Sequence, residues 1–263
     1  ATLDDIAWLF NLGGADVSYN PVFISFALIG PESVSLFVDS KKIDARVRQS
    51  LEQDGITLVE YTQIGVALRE VPKDGRLLID PARVTCGLLD YLDAEVSLVE
   101  GLNPTTLFKS RKTEADTAHI RQAMEQDGAA LCEFFCWLDS ALGNEPVSEL
   151  TIDEKLGQAR QRRPGYISAS FSTIAGFNGN GAMPHYRATE QEYAQIEGDG
   201  LLLIDSGGQY LGGTTDITRM VPIGTPSAEQ KADCTRVIKG VIALSRARFP
   251  KGILSPLLDA IAR

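Results

Sequence analysis

The stretch LLLIDSGGQYLGGTTDITRM, residues 201–220, carries an apolar run into Asp205, spends four glycines, and reaches a second aspartate at Asp216. In one extended strand positions 205 and 216 have opposite parity, so their side chains meet only if the chain turns back between them. The glycines allow that reversal. A two-residue turn at Gly212-Gly213 places Asp205 opposite Met220 and leaves the aspartates about 13 Å apart, at roughly 3.3 Å per residue. Convergence then requires a β-bulge, expected at Gly207-Gly208. Two converging carboxylates repel unless a cation lies between them, and all-oxygen donors favour hard divalent ions such as manganese. The same residues admit a plainer reading, in which Asp205 ends a buried strand and Asp216 makes an Asx-type hydrogen bond in a turn.

With 263 residues, 44% of them hydrophobic and 23% charged, the chain is long enough for two domains with cores of their own. A net charge of -10 argues against nucleic acid as a partner, because that affinity rests on Lys and Arg neutralising phosphates. No apolar run is long enough for a membrane span, and Asp4 and Asp5 stand where a secretory leader carries positive charge. The four scattered cysteines fit a reducing, cytoplasmic compartment. Cys132 and Cys136 lie one helical turn apart in the apolar LCEFFCWL, which reads as core packing rather than a soft-metal site.

Residues 1–106 alternate helices and strands, as in an α/β layer, beginning with a helix at 3–11 capped by Thr2. The strands VFISFALIG and SVSLFVDS flank a turn at Pro31-Glu32, and a helix in KIDARVRQSLEQDG ends at Gly55. Another helix is expected from Pro81 into GLLDYL. The proline-bearing LNPTTLFKS, residues 102–110, reads as a linker. A long helix follows over 112–142, with Ile120, Met124, Leu131, Phe134, Phe135 and Leu138 toward one side, and a second over 148–162. Strands then dominate until a helix capped by Ser227.

Of the two histidines, His119 reads as a surface or packing residue. His185 follows GFNGNGAMP, whose glycines let backbone approach a ligand closely, and is open to either a structural or a proton-carrying role. GFNGNG lacks both the P-loop lysine and the GxGxxG spacing, and no GxSxG elbow is present. The basic run ARQRRPG, 159–165, reads as a solvated helix end.

Taken together, IDSGGQYLGGTTDITR resembles the aminopeptidase P segment that contributes the first two metal-binding aspartates. That family comprises the Xaa-Pro aminopeptidases of the pita-bread metallopeptidase superfamily. GNGAMPHY resembles its substrate-site histidine segment, LDDIAWLFNLGGADVSYNPVFISFALI the start of its middle domain, and KSRKTEADTAHIRQAMEQDGAALCEFFCWLD the helix opening its catalytic domain. The resemblance implies an α/β creatinase-like middle domain at 1–106, followed at 107–263 by the first part of an α+β pita-bread catalytic domain. Asp205 would bind one metal, Asp216 would bridge both ions of a binuclear site, and His185 would contact substrate. The implied reaction is release of an N-terminal residue from a peptide with proline second, with two divalent ions, usually manganese, in a homodimer. The family's amino-terminal domain and its remaining ligands, one histidine and two glutamates, are expected outside these residues. Prolidase, a creatinase-type hydrolase and a non-catalytic peptide-binding module are the alternatives on this fold.

Overall fold

Helix α1 (Leu3–Phe10) opens the described chain, residues 2–263 of a computed structural model. Asp4 and Asp5 occupy its first turn, where the helix dipole favours them, and Asn11 ends it in the left-handed conformation. Strands β1 (Ser25–Ile29) and β2 (Val34–Val38) pair antiparallel around the Pro31-Glu32 turn. Helix α2 (Ala45–Gln53), capped by the Asp44 carboxylate on the Val47 N–H, crosses to β3 (Ile56–Glu60), which runs parallel to β2. Helix α3 (Ile64–Arg69) leads to β4 (Arg76–Ile79), and α4 (Cys86–Leu89) to β5 (Ser97–Glu100), parallel to β4. The helix expected from Pro81 is thus confined to α4. The core of this unit gathers Ile6, Phe10, Phe23, Leu36, Val38 and Leu51.

Residues 104–110, read above as part of a linker, form helix α5 (Pro104–Ser110). Asn103 caps it by accepting from the Thr105 N–H at 3.1 Å, and Pro104 sits at its start, where a missing N–H costs nothing. Lys109 pairs with Asp4 and, at 2.8 Å, with the buried Asp5, which also accepts from the Thr106 hydroxyl at 2.7 Å. These contacts fasten α5 to α1 within the first unit, which ends at Arg121.

The second unit spans Gln122–Arg263. Helix α6 (Glu114–Ala141) carries the chain into it and buries Ala123, Asp127, Ala130, Leu131, Phe134, Leu138 and Ala141, a stripe at helical spacing. That stripe corrects two expectations: Met124 is 41% exposed, and Cys132 and Cys136 are exposed free thiols rather than core residues. Each lies one or two positions off the stripe, so the helix turns it to solvent. Helix α7 (Glu149–Gln161) starts with a capping box at Ser148 and Thr151 and buries Ile152, Leu156 and Arg160.

Strands β6 (Tyr166–Ala169), β7 (Ile174–Phe177), β8 (Gly200–Ser206), β9 (Gly208–Tyr210), β10 (Gly213–Thr214) and β11 (Ile217–Ile223) make two antiparallel sheets. One has β8 between β11 and β7; the other has β9 between β10 and β6. Leu202, Ile204, Ile217 and Ile223 pack on Leu131, Phe134, Leu138, Ile152 and Leu156, so the helices cover one face of the β8 sheet. Helix α8 (Ala228–Ser245), capped by Ser227 as expected, buries no residue and leaves Val237, Ile238, Val241 and Ile242 at least half exposed. Helix α9 (Asp259–Ala262) follows.

Candidate metal centre

The two aspartates are set by one hairpin. Tyr210 faces Gly213 and Gln209 faces Thr214 across a turn at Leu211-Gly212, while Ser206 faces Ile217 and Asp205 faces Thr218 further along. The register is the same on both sides of Gly207, so no bulge is needed in this hairpin. Moving the turn one residue earlier than Gly212-Gly213 shifts the pairing by two and puts Thr218, not Met220, opposite Asp205. Asp216 precedes Thr218 by two residues and therefore shares its face, diagonally across from Asp205, at a Cα separation of about 7–8 Å. The nearest bulge is on the partner strand, where the β6 register slips between Tyr166 and Ser168.

Burial assigns the faces. Residues 202, 204 and 206 of β8 point into the core, whereas Asp205 is half-buried and Asp216 exposed on the other side. One oxygen of Asp205 accepts from the Thr218 hydroxyl at 2.7 Å. The Asp216 carboxylate has no hydrogen-bond or ion-pair partner among the described residues, so the Asx-turn reading does not hold. Two carboxylates sharing a face, one of them without an ion-pair partner among the described residues, suit a hard cation. Among the described residues no group of three or more His, Cys, Asp or Glu converges, so these two acidic groups stand alone.

Gly207 explains how the strands come so close. A Cβ there would lie 1.9 Å from the Thr215 carbonyl oxygen and 2.4 Å from the Ser170 hydroxyl, so only glycine fits. The Ser170 N–H donates to the Gly207 carbonyl at 3.1 Å, and its hydroxyl to the Thr215 carbonyl at 2.8 Å.

The His185 segment lies over the aspartate side of the same sheet. Asn178 accepts from the Leu201 N–H at 3.0 Å, and Gly181 packs beside Leu203, which shares its face with Asp205. His185 is exposed and closes a turn in which Pro184 takes the second position and the Tyr186 N–H donates to the Met183 carbonyl at 3.2 Å. Its φ of 57° is a left-handed value that histidine adopts at a cost of about 1 kcal/mol or more.

Residue Glu149, missed in the sequence, anchors that segment. Its fully buried carboxylate accepts from the Phe177 N–H at 2.7 Å, the Ala194 N–H at 2.8 Å, the Asn180 amide at 3.0 Å and the Tyr186 hydroxyl at 2.8 Å. Burial, reinforced by the carboxylate it donates to, pushes the Tyr186 phenol up to about 12. The signal available was a charged residue directly after the helix cap Ser148.

The basic run needs a larger correction. Arg162 and Arg163 do reach the surface, sharing Glu133 at 2.8 and 2.7 Å. Arg160, however, is 2% exposed and makes a two-pronged pair with Asp127, at 2.6 and 3.2 Å. Its spacing of four and eight residues from Leu156 and Ile152 places it on the inward face, a signal that the charge run hides. His119 is exposed, as read above. A cleft of about 610 Å³ between residues 142–147, 196–198 and 223–224 opens at the other end of the hairpin, far from the aspartates.

The chain belongs to metallopeptidase family M24, which matches residues 118–263. Residues 1–116 match the Creatinase/Prolidase N-terminal domain, so the expected order, a creatinase-like α/β domain and then a pita-bread domain, is borne out. Xaa-Pro aminopeptidase 1 of Dictyostelium discoideum is 36% identical over 269 residues, covering 100% of this chain and 42% of that protein. The probable Xaa-Pro aminopeptidase P of Aspergillus niger is 38% identical, covering 99% and 44%. Among solved structures, the X-prolyl aminopeptidase of Caenorhabditis elegans, described as a cytosolic enzyme with a di-nuclear active site, superposes with a TM-score of 0.90 at 28% identity, covering 99% and 44%. The chain thus spans less than half the length of these relatives.

Proposed function

We propose that the whole protein is a metal-dependent aminopeptidase that removes the N-terminal residue from peptides with proline second. The observation that supports this reading is that Asp205, in β8, and Asp216, immediately before β11, both lie on the side of the hairpin away from the core. Asp205 and Asp216 would hold divalent ions, and manganese would suit such oxygen donors. Each ion needs about six donors, so the rest of the set comes from elsewhere in the whole protein. When bound, the ions supply Lewis-acid polarisation of the peptide carbonyl and lower the proton affinity of water. His185 hydrogen-bonds the scissile amide and carries a proton to the departing proline nitrogen. Its left-handed backbone supports that role, because strain of this kind persists where surroundings impose it, often at functional sites. Proline is recognisable because its amide lacks an N–H and its φ is fixed.

A cytoplasmic location agrees with four free cysteines and with the description of the nematode relative. Among the described residues no helix is long and apolar enough to cross a membrane. The homodimer implied by the family resemblance finds support in the apolar face of α8.

The manganese-loaded whole protein should cleave an Xaa-Pro-Xaa tripeptide and leave an Xaa-Ala-Xaa control nearly untouched. Preference for the Xaa-Pro dipeptide would make it a prolidase, creatine turnover a creatinase-type hydrolase, and no hydrolysis at all a binding module. His185→Ala should lower turnover by about 100-fold or more with bound metal unchanged. Loss of metal in that variant would assign His185 a different role.

A further inference from the structure

We infer that the buried Asp127–Arg160 pair is a positioning device that sets the spacing of Asp205 and Asp216 from beneath the sheet. The inference rests on the metal-centre reading above. Asp127, on α6, is fully buried and accepts four hydrogen bonds. Oδ1 receives Arg160 Nε at 2.6 Å and the Tyr210 hydroxyl at 2.9 Å; Oδ2 receives Arg160 Nη2 at 3.2 Å and the Thr215 hydroxyl at 2.8 Å. Arg160, on α7, also donates to the Ser206 hydroxyl at 3.0 Å. Two helices therefore grip Ser206 and Thr215, the residues immediately following Asp205 and preceding Asp216.

The grip falls between two stretches of regular strand pairing. Strand pairing of β8 with β11 ends at Ser206 and Ile217, and pairing of β9 with β10 ends at Gln209 and Thr214. Thr215 and Asp216 lie in the gap. Thr215 is fixed there by its N–H on the Gly208 carbonyl at 2.9 Å and by its hydroxyl, which accepts from the Gly208 N–H at 2.8 Å and donates to Asp127 at 2.8 Å. Side chains at 206 and 215 point inward, so those at 205 and 216 point outward: fixing one pair fixes the other.

Stability alone is a poor reason for this arrangement. Burying an ion pair costs desolvation that apolar residues avoid, and the surrounding core is Leu, Ile and Phe. What the charges add is direction: a carboxylate with four fixed donors holds two strand ends in one arrangement, as supporting hydrogen bonds do around metal ligands.

The test uses the whole protein, titrated with Mn2+ by calorimetry well below its melting temperature. Thr215→Val removes the hydroxyl without changing shape, Thr215→Ser restores it, and Asp127→Asn removes the charge. Thr215→Val and Asp127→Asn should weaken Mn2+ binding by about 10- to 100-fold, and Thr215→Ser should recover it. Wild-type affinity in Thr215→Val, even with a lower melting temperature, overturns the inference; that variant decides if Asp127→Asn does not fold. An Asp216→Asn arm separates the two levels. If it loses metal while Thr215→Val keeps it, only the positioning role fails; if it binds as wild type does, the metal centre fails and the inference with it.

Discussion

Replacing Asp216 by asparagine in the whole protein is expected to weaken divalent-metal binding by more than about 100-fold, since even supporting partners of ligands cost 10- to 100-fold. Xaa-Pro hydrolysis should fall in parallel. Asparagine keeps the shape of the side chain and removes only its charge. Because Asp216 is exposed and without a partner, the metal-free variant should melt within about a degree or two of the wild type, as surface changes of about 0.5 kcal/mol do. Metal stoichiometry, calorimetry and melting curves check the three parts separately. Retained stoichiometry and rate would remove Asp216 from the site.

Gly207→Ala should do damage of the opposite kind. The added methyl group falls 1.9 Å from a backbone carbonyl oxygen, at Thr215, which cannot swing away as a side-chain tip could. The two strands must separate by roughly 1 Å or more to restore ordinary contact. Overpacking of this sort costs about 1–3 kcal/mol, and the separation occurs between Asp205 and Asp216. A melting temperature lowered by about 2–10 °C, together with weakened metal binding, is the expected result. A variant that melts and binds as wild type does would show that the close approach at Gly207 is not what sets the aspartates.

Apolar periodicity and capping made most helices legible: Ser227 marked the start of α8, and the Leu131–Phe134–Leu138 spacing marked the buried side of α6. The hairpin was legible as a reversal but not in its register. Paired glycines at 212 and 213 draw the turn onto themselves, whereas the chain turns at Leu211-Gly212. Tyr210, whose hydroxyl reaches the buried Asp127, fixes the last strand residue before the turn and leaves Leu211 81% exposed. A contact 83 residues away in sequence thus decides a local choice. The same long-range pairing hid Arg160, which looked solvated because its neighbours Arg162 and Arg163 are charged. Helix α5 hides in the sequence because Pro104 has two meanings, a breaker inside a helix and a favoured first residue after a cap such as Asn103. Asp205, Asp216 and His185 stand out in the sequence by motif; Glu149 and Asp127, which hold their surroundings, carry no motif and emerge only from burial.

The most direct measurement is anomalous diffraction from manganese-loaded crystals of the whole protein. Two manganese ions are expected roughly 3.5–4 Å apart, with the Asp216 carboxylate touching both and Asp205 on one of them. Ions that leave both carboxylates untouched, or a loaded protein with no manganese between β8 and β11, would contradict it.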